Sequence, residues 1–249
     1  MSAYDSLAEF YDQLTLDVDY EQFALFYEKI FKEQGINVKT ILDLACGTGS
    51  LTCIMAERGY EMIAVDGSTD MLSVAMAKFS CLENVEPPLV LNQMMDELDL
   101  YGTVDAAICM LDGFNYLPED ALIETLRRLW LFIEPGGILI FDINTPYKLR
   151  GLDGQVFIDE TEEVYCVWRT EFDEEENACY YGMDIFAEDD GLWERTFEEH
   201  IEYAYEPEYL AKRLTEAGFI DIRQYGELKM EQPESCENRI FFSARKPKN

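Results

Sequence analysis

Residues 41–49 read ILDLACGTG, an apolar stretch of strand type that runs into a glycine turn and then into a helical pattern from Ser50. Glycines at such a turn let the backbone approach a ligand closely. A dinucleotide-binding turn has the form G-x-G-x-x-G, but the third residue after Gly49 is Thr52. The stretch therefore predicts a ligand-binding strand–turn–helix unit, and it argues against a nicotinamide or flavin enzyme.

Strand-like and helix-like segments alternate on both sides of this turn. Two blocks of apolar residues at helical spacing, between about residues 3 and 34, predict two helices before the first strand, and Gly35 ends the second block. Further strands are predicted at EMIAVD (61–66), PLVLNQ (88–93), VDAAICML (104–111) and GGILIFDI (136–143), with helices at 50–58, 70–79 and 120–132. Such alternation predicts a parallel sheet with helices on both faces.

The pattern changes after Asn144. Residues 163–172, 178–187 and 192–205 have the composition of strands and are separated by the turn-rich pieces DEEEN and EDDG, which predicts a three-stranded antiparallel meander. A helix at 207–217 then leads into FIDIRQYGEL and a last strand, NRIFFSARK. The meander therefore reads as an insertion that forms a lid on the sheet.

Charge narrows the classes of ligand. Fifty-one Asp and Glu residues against nineteen Lys and Arg give a formal net charge of −32, whose field repels polyanions. Nucleic acid is therefore an unlikely substrate. The same charge is compatible with a solvated acidic surface or with attraction of a cationic substrate or basic partner, and the sequence leaves both open.

The remaining composition bounds the setting. A chain of 249 residues, 48% of them hydrophobic, can bury the core of a single domain, 1–249. No stretch approaches the about 18 apolar residues of a membrane span, and the start MSAYDSLAEFYDQL lacks a basic signal, so we expect a soluble cytoplasmic protein. The seven cysteines are scattered without a C-x-x-C pair, so we expect reduced thiols and no metal site.

The glycine turn carries a family resemblance. Asp43-x-Ala45-x-Gly47-x-Gly49 resembles the first motif of class I S-adenosylmethionine-dependent methyltransferases, in which the turn supports the methionine moiety of the cofactor. The resemblance spans about residues 4–145. It implies an α/β, Rossmann-like, mostly parallel seven-stranded sheet with an antiparallel last strand, and S-adenosyl-L-methionine as cofactor.

Two further positions match the family. Asp66 ends the second strand, where the family places an acid that accepts both ribose hydroxyls of the cofactor through its two oxygens. Met71 resembles the residue that packs on the adenine. A turn or cap role for Asp66 and a plain core role for Met71 are the alternatives.

One position departs from the family. Related enzymes commonly carry an acid for the adenine amino group in a context like Q-D-M, whereas this chain reads Gln93-Met94-Met95. Gln93 and the Met95 backbone amide are candidates for adenine recognition, and Met94 is a candidate for the apolar wall of the ring site. Asp96, two residues late, is a weaker option.

The end of the fourth strand resembles the family's loop beside the reactive methyl group. It supplies Leu111, Asp112 and Asn115 as candidate cofactor residues, because ligands bind at the carboxyl ends of parallel strands. Asp112 as a turn former and Asn115 as a cap are the alternatives. Asp142 and Asn144 end the next strand.

Two candidates for the catalytic group come from outside the core. The opening YDSLAEFYD (4–12) is similar to that of a branch of largely uncharacterised bacterial methyltransferases whose first helix folds over the cofactor, which implies that Tyr11 lines the pocket; ordinary packing of Tyr4 and Tyr11 is the alternative. His200, the only histidine, is a candidate proton acceptor. Strand alternation places it on a polar face with Glu198 and Glu202, which makes a surface histidine the competing interpretation.

The resemblance implies methyl transfer to an oxygen or nitrogen of a small molecule. The sulfonium methyl group is already activated, so the protein mainly positions the acceptor and excludes water, and no nucleophilic triad is needed. Cap helices (1–37), a cofactor-binding core (38–146), the lid (151–205) and a C-terminal part (206–249) would share this work. A protein or RNA acceptor, or a non-catalytic cofactor-binding or assembly module, are the alternatives.

Overall fold

The computed structural model describes residues 7–189 and 191–248. Its strands are β1 (Thr40–Leu44), β2 (Glu61–Asp66), β3 (Leu89–Asn92), β4 (Val104–Cys109), β5 (Ile133–Asn144), β6 (Val156–Glu160), β7 (Val164–Asp173), β8 (Ala178–Asp189), β9 (Leu192–Tyr203), β10 (Ile220–Tyr225) and β11 (Arg239–Arg245). Its α-helices are α1 (Tyr11–Leu14), α2 (Tyr20–Glu33), α3 (Ser50–Glu57), α4 (Thr69–Phe79), α5 (Glu119–Phe132), α6 (Pro146–Gly151) and α7 (Pro207–Glu216).

Seven strands form the main sheet in the order β10-β11-β5-β4-β1-β2-β3. The strands β1 to β5 pair in parallel, and β11 pairs antiparallel with both β5 and β10. This order confirms the prediction of a Rossmann-like, mostly parallel sheet with an antiparallel last strand. The carboxyl ends of β1 and β4 are neighbours on the side where the order reverses, which is where such sheets bind ligands.

Helices cover both faces of the main sheet because its strands are apolar on both sides. Along β1, Ile41 packs into the cluster formed with α2 and α3, while Leu42 and Leu44 pack into the opposite cluster with α5 and α7. Local caps fix where helices begin. The Asp19 side chain accepts the Gln22 N–H at the start of α2, and Ser68 Oγ accepts the Met71 N–H at the start of α4.

The insertion is a separate antiparallel sheet of four strands, in the order β6-β7-β8-β9, which we call the second sheet. The three predicted strands are present, and β6 adds a fourth that the sequence prediction missed. All five β6 residues are exposed and the strand pairs only with β7, so its alternation carries no burial signal.

The faces of β9 are the reverse of what apolar patterning suggests. Glu198, His200 and Glu202 are buried, whereas Trp193 and Phe197 are each 51% exposed. The interpretation of His200 as a surface histidine is therefore wrong. Polar groups of other segments form hydrogen bonds with the carboxylates of this buried face. The Leu7 N–H donates to Glu198, and Asn144 Nδ2 donates to Glu202.

The first predicted helix is shorter than expected. Among the described residues of this segment, 7–10 form turns and α1 is helical, while Tyr4 lies outside the described residues. In the part of the chain that the structure describes, no helix is long and apolar enough to cross a membrane, and no group of three or more His, Cys, Asp or Glu side chains could hold a metal ion.

Candidate functional site

A cavity of about 340 Å³ opens at the carboxyl ends of β1, β2 and β4. Eight of the predicted site residues line it: Tyr11, Asp43, Ala45, Gly47, Asp66, Met71, Met95 and Leu111. Gly49, Gln93, Asp112, Asn115 and His200 are not among its lining residues. The predicted residues thus fall into two groups: those that line the cavity and those that lie outside its wall.

The two glycines of the turn have different tasks. Gly47 (φ +54°) lines the cavity, and a Cβ there would meet nothing within 4 Å, so its backbone is accessible to a ligand. Gly49 (φ +74°) precedes α3, and a Cβ there would lie 2.6 Å from Phe79 Cζ. Gly49 is therefore required for the packing of α4 on the turn.

Asp66 both shapes the turn and faces the cavity. Its Oδ2 accepts the Gly47 N–H and its Oδ1 accepts the Ser68 N–H, each at 2.8 Å. Each oxygen keeps further lone pairs for a ligand hydroxyl. Burial raises the pKa of Asp66, and the backbone hydrogen bonds oppose that shift. The ribose role stays a prediction, and the geometry is compatible with it.

Asp43 forms the floor of the cavity beneath the turn. Burial raises its pKa to about 7, and a hydrogen bond from the Thr52 hydroxyl partly offsets the shift. A cationic group in the cavity would favour the carboxylate form and lower this pKa. The Asp43 carboxylate can therefore stabilise a positive charge on a bound ligand.

Methionines line the end of the cavity beyond Asp66. Met71, Met94 and Met95 form an apolar wall, and a Cβ on Gly67 would lie 2.5 Å from Met94 Sδ, so Met94 lies across this glycine. This is the wall that a flat aromatic ring requires.

Gln93 serves the loop after β3 and not the cavity wall. Its Nε2 donates to the Asp99 carbonyl at 3.2 Å, and its Oε1 accepts the Asp99 N–H at 2.9 Å. The candidate role of the Gln93 side chain in adenine recognition therefore finds no support. The weaker candidate, Asp96, also lies off the wall, which leaves Met94 and Met95 from that set on the wall.

The loop after β4 is held by a buried ion-pair network. Asp142 accepts the backbone N–H groups of Leu111 and Asp112, each at 3.0 Å. Arg239, at the start of β11, pairs with Asp142 and also with Asp112 at 2.8 Å. Leu111 and Asp112 have positive φ angles of 55° and 56°. The network therefore holds a backbone conformation that residues other than glycine rarely adopt. Asp112 supports the cavity from behind.

Asn115 joins three segments of the chain. Its Nδ2 donates to the carbonyls of Asn144 and Tyr203, and its Oδ1 accepts the Asn144 N–H, all at 3.0 Å. Since both hydrogens of its amide are used and Asn115 is not a lining residue, its predicted contact with cofactor finds no support. Asn115 instead attaches the second sheet to the main sheet.

The two catalytic candidates occupy different positions. Tyr11 lines the cavity, and burial raises the pKa of its phenol, so it stays protonated. His200 lies behind Tyr116, which lines the cavity and meets the imidazole edge-on with ring centroids 5.9 Å apart. His200 Nε2 lies 3.2 Å from Glu198 Oε2. His200 therefore contacts a residue of the cavity wall without being one of the lining residues.

A carboxyl group is buried between the two sheets. Glu202 Oε2 accepts from Asn144 Nδ2 at 2.7 Å. Its pKa is raised by burial first and by the nearby Asp112 carboxylate second. Glu202 on the inner side of the second sheet is therefore bonded to β5 of the main sheet, while Glu198 on the same side is bonded to the N-terminal segment.

Several residues of the site were missed at the sequence level: Tyr20, Thr48, Ser50, Ser68 and Tyr116 on the cavity wall and Arg239 behind it. The hydroxyls at 48 and 50 flank Gly49 in the turn itself, which is a signal that could have been used. Arg239 has a weaker signal, as a cation at the start of the last strand in a strongly acidic chain.

Comparisons with known proteins agree with this geometry. Residues 41–137 match the family model described as a methyltransferase domain. The chain is 31% identical over 248 residues to the Bacillus subtilis methyltransferase-family protein YqeM, covering 98% of each. It is 27% identical to a glycine/sarcosine N-methyltransferase of Aphanothece halophytica, covering 82% of this chain and 74% of that protein.

A crystal structure extends the likeness to the whole fold. An S-adenosylmethionine-dependent methyltransferase from Clostridium acetobutylicum superposes with a TM-score of 0.87 and 30% identity, covering 98% of this chain and 99% of that one.

The residues present fit the cofactor of these relatives. The accessible backbone of Gly47 suits the methionine moiety, and the oxygens of Asp66 can accept hydrogen bonds from the ribose hydroxyls. The apolar side chain of Met71 suits the adenine. The chain belongs to the class I S-adenosylmethionine-dependent methyltransferases, enzymes that take their methyl group from S-adenosylmethionine.

Proposed function

We propose that the protein transfers the methyl group of S-adenosylmethionine to a nitrogen or oxygen of a small molecule, with an amine as the leading acceptor. The observation that carries the proposal is the cover over the cavity. Tyr11 of the N-terminal segment and Tyr116 of the loop after β4 both line the cavity. The second sheet packs against both of these segments. Such an enclosed site suits a small acceptor better than a polymer.

Cofactor binding would use the residues already placed on the wall. Asp66 would accept from the ribose hydroxyls, Met71 and Met95 would enclose the adenine, and the Gly47 turn would hold the methionine. The cofactor supplies an activated methyl group, so the chain's own residues orient the acceptor for in-line attack and exclude water.

The second sheet is the proposed lid. Trp168 and Met183 on its inner side pack in one apolar cluster with Leu7 and Tyr11 of the N-terminal segment. Tyr11 joins this cluster to the cavity wall. A water-poor site favours attack on the methyl group by the acceptor over side reactions.

Buried carboxyl groups support the choice of an amine. Among the cavity-lining residues in the part of the chain that the structure describes, the charged side chains are those of Asp43 and Asp66, and Glu198 and Glu202 are buried on the inner side of the second sheet. Carboxylates stabilise an ammonium group as it enters, and one proton must leave before the nitrogen can attack. The relative from Aphanothece halophytica, named for N-methylation of glycine and sarcosine, supports the same acceptor class.

The test combines a panel of amines and alcohols with three variants. We expect label transfer from methyl-labelled S-adenosylmethionine to an amine, and we expect Trp168→Ala and His200→Gln to lower turnover while S-adenosylhomocysteine affinity stays within about 2-fold. Trp193→Ala, on the exposed outer side of the second sheet, is the matched control and should leave turnover unchanged. Loss of cofactor affinity in folded Trp168→Ala protein would show that the second sheet is not the acceptor side.

A further inference from the structure

A carboxylate of the N-terminal segment is bound at the wall of the cofactor cavity. Asp12, in α1, accepts from the Thr48 hydroxyl at 2.6 Å and from the Ser50 hydroxyl at 3.4 Å. Its other oxygen lies 2.5 Å from Lys78 Nζ of α4. Three donors from two separate segments therefore converge on one carboxylate.

Lys78 is itself oriented by the same hydroxyls. Its ammonium donates to Thr48 Oγ1 at 3.0 Å and to Ser50 Oγ at 2.8 Å. Each hydroxyl thus accepts from the lysine and has its own proton for a carboxylate. Thr48 and Ser50 both line the cavity, so the group of three residues, which we call the Lys78 cradle, is a carboxylate site at the cavity edge.

The charges around the cavity make this cation distinctive. Among the lining residues in the part of the chain that the structure describes, two are aspartates, Asp43 and Asp66, and none is lysine or arginine. An incoming carboxylate would be repelled by those two groups. Lys78 lies one hydrogen bond behind the wall and provides the compensating positive charge.

We propose that the Lys78 cradle binds the α-carboxylate of the cofactor's methionine moiety, and that Asp12 occupies the cradle until the cofactor displaces it. The exchange replaces one carboxylate by another, so the cradle keeps its charge balance and its donors stay satisfied. The Asp12 side chain is 40% exposed, so its release into water carries a small desolvation change. The inference rests on the methyl-donor assignment and not on the identity of the acceptor.

The test compares two ligands that differ in this carboxylate. S-adenosylhomocysteine carries the amino-acid moiety, whereas methylthioadenosine keeps the adenosine and lacks that moiety. By calorimetry on the full chain, Lys78→Met should weaken S-adenosylhomocysteine about 10-fold, the usual effect of losing a hydrogen bond to a charged group, and should leave methylthioadenosine within about 2-fold. Lys78→Arg should retain most of the affinity, and Lys39→Met, an exposed lysine paired with Glu61, is the matched control.

Asp12→Asn tests the displacement. Since it removes the competing charge, it should strengthen S-adenosylhomocysteine and leave methylthioadenosine unchanged. Equal weakening of both ligands by Lys78→Met, no effect of that variant on either ligand, or weaker S-adenosylhomocysteine binding by Asp12→Asn would each overturn the proposal. If the wild-type protein bound neither ligand, the methyl-donor assignment would fail together with this proposal. A failure of this proposal alone would leave ligand binding by the wild-type protein intact, so the two failures are distinguishable.

Discussion

Replacement of Asp66 by alanine tests the centre of the cofactor model. The carboxylate stands at the end of β2 beside the turn that follows β1, and both face one cavity. Alanine removes the acceptors that the ribose assignment predicts for two hydroxyls of the cofactor. It also removes the acceptors of the Gly47 and Ser68 N–H groups, so both affinity and stability should respond.

The two effects have different sizes. Loss of hydrogen bonds to a charged group should weaken the cofactor by about 1.5–3 kcal/mol, or roughly 10- to 150-fold in the dissociation constant. Loss of the turn contacts should lower the free energy of unfolding by only about 1 kcal/mol, as the loss of a helix cap does. Burial already raises the pKa of Asp66, and relief of that desolvation offsets part of the lost contacts.

Calorimetry with S-adenosylhomocysteine and thermal melting of the free protein measure both quantities on the same variant. Asp70→Ala is the matched control, because Asp70 is an exposed acid of the first turn of α4 and is not on the cavity wall. If Asp66→Ala protein melted lower but kept wild-type affinity, Asp66 would be a turn former only, and the ribose assignment would be refuted.

Three further predictions concern the supports of the site. Gly49→Ala should lower stability by about 2 kcal/mol or more, because its Cβ would lie 2.6 Å from Phe79 Cζ. Gly47→Ala meets no neighbouring atom but is strained by its φ of +54°, so it should cost only about 1–2 kcal/mol of stability and should also weaken the cofactor; a larger loss of stability in Gly47→Ala than in Gly49→Ala would contradict the division of tasks. Arg239→Met should cost about 3–5 kcal/mol in urea unfolding, because buried carboxylates lose their cation; a cost below about 1 kcal/mol would show that the network contributes little. The pKa of Asp43 is raised to about 7, so the folded state keeps a proton that the unfolded state loses near pH 4, and the free energy of unfolding should fall as pH rises between these values. Asp43→Asn should flatten this fall, and an unchanged pH slope would count against the shift.

The core of the fold follows from local patterns. Strands such as β1 are apolar on both faces, which marks them as interior strands of a parallel sheet, and glycines or caps end the helices between them. Each of these signals lies within a few residues of the element it defines. All seven strands of the main sheet were therefore predictable.

The orientation of β9 was not predictable in this way. The strand alternates acidic and apolar residues, and patterning alone directs Phe197 inward and Glu202 outward, opposite to their burial. The partners that reverse this choice, Leu7 N and Asn144 Nδ2, lie 191 and 58 residues away in the chain. No local rule contains that information.

The residues of the site likewise include some that local sequence predicts and some that it does not. Positions that shape the turn and line the cavity, such as Gly47 and Asp66, have sequence motifs. Polar side chains at strand ends, such as Gln93 and Asn115, were assigned to the cofactor but are satisfied by backbone groups of neighbouring segments. Motif matching finds where a cavity lies, while the partners of each polar atom decide which residues face it.

The molecule that receives the methyl group decides whether the proposed function is correct. The protein is incubated with methyl-labelled S-adenosylmethionine and a cell extract separated into small molecules, proteins and RNA, with Gly47→Ala protein as the control of reduced cofactor binding. We expect label in the small-molecule fraction on an amine-bearing compound, with an equal amount of S-adenosylhomocysteine formed. Label in the protein or RNA fraction, or no transfer by wild-type protein that binds S-adenosylhomocysteine, would contradict the proposed function.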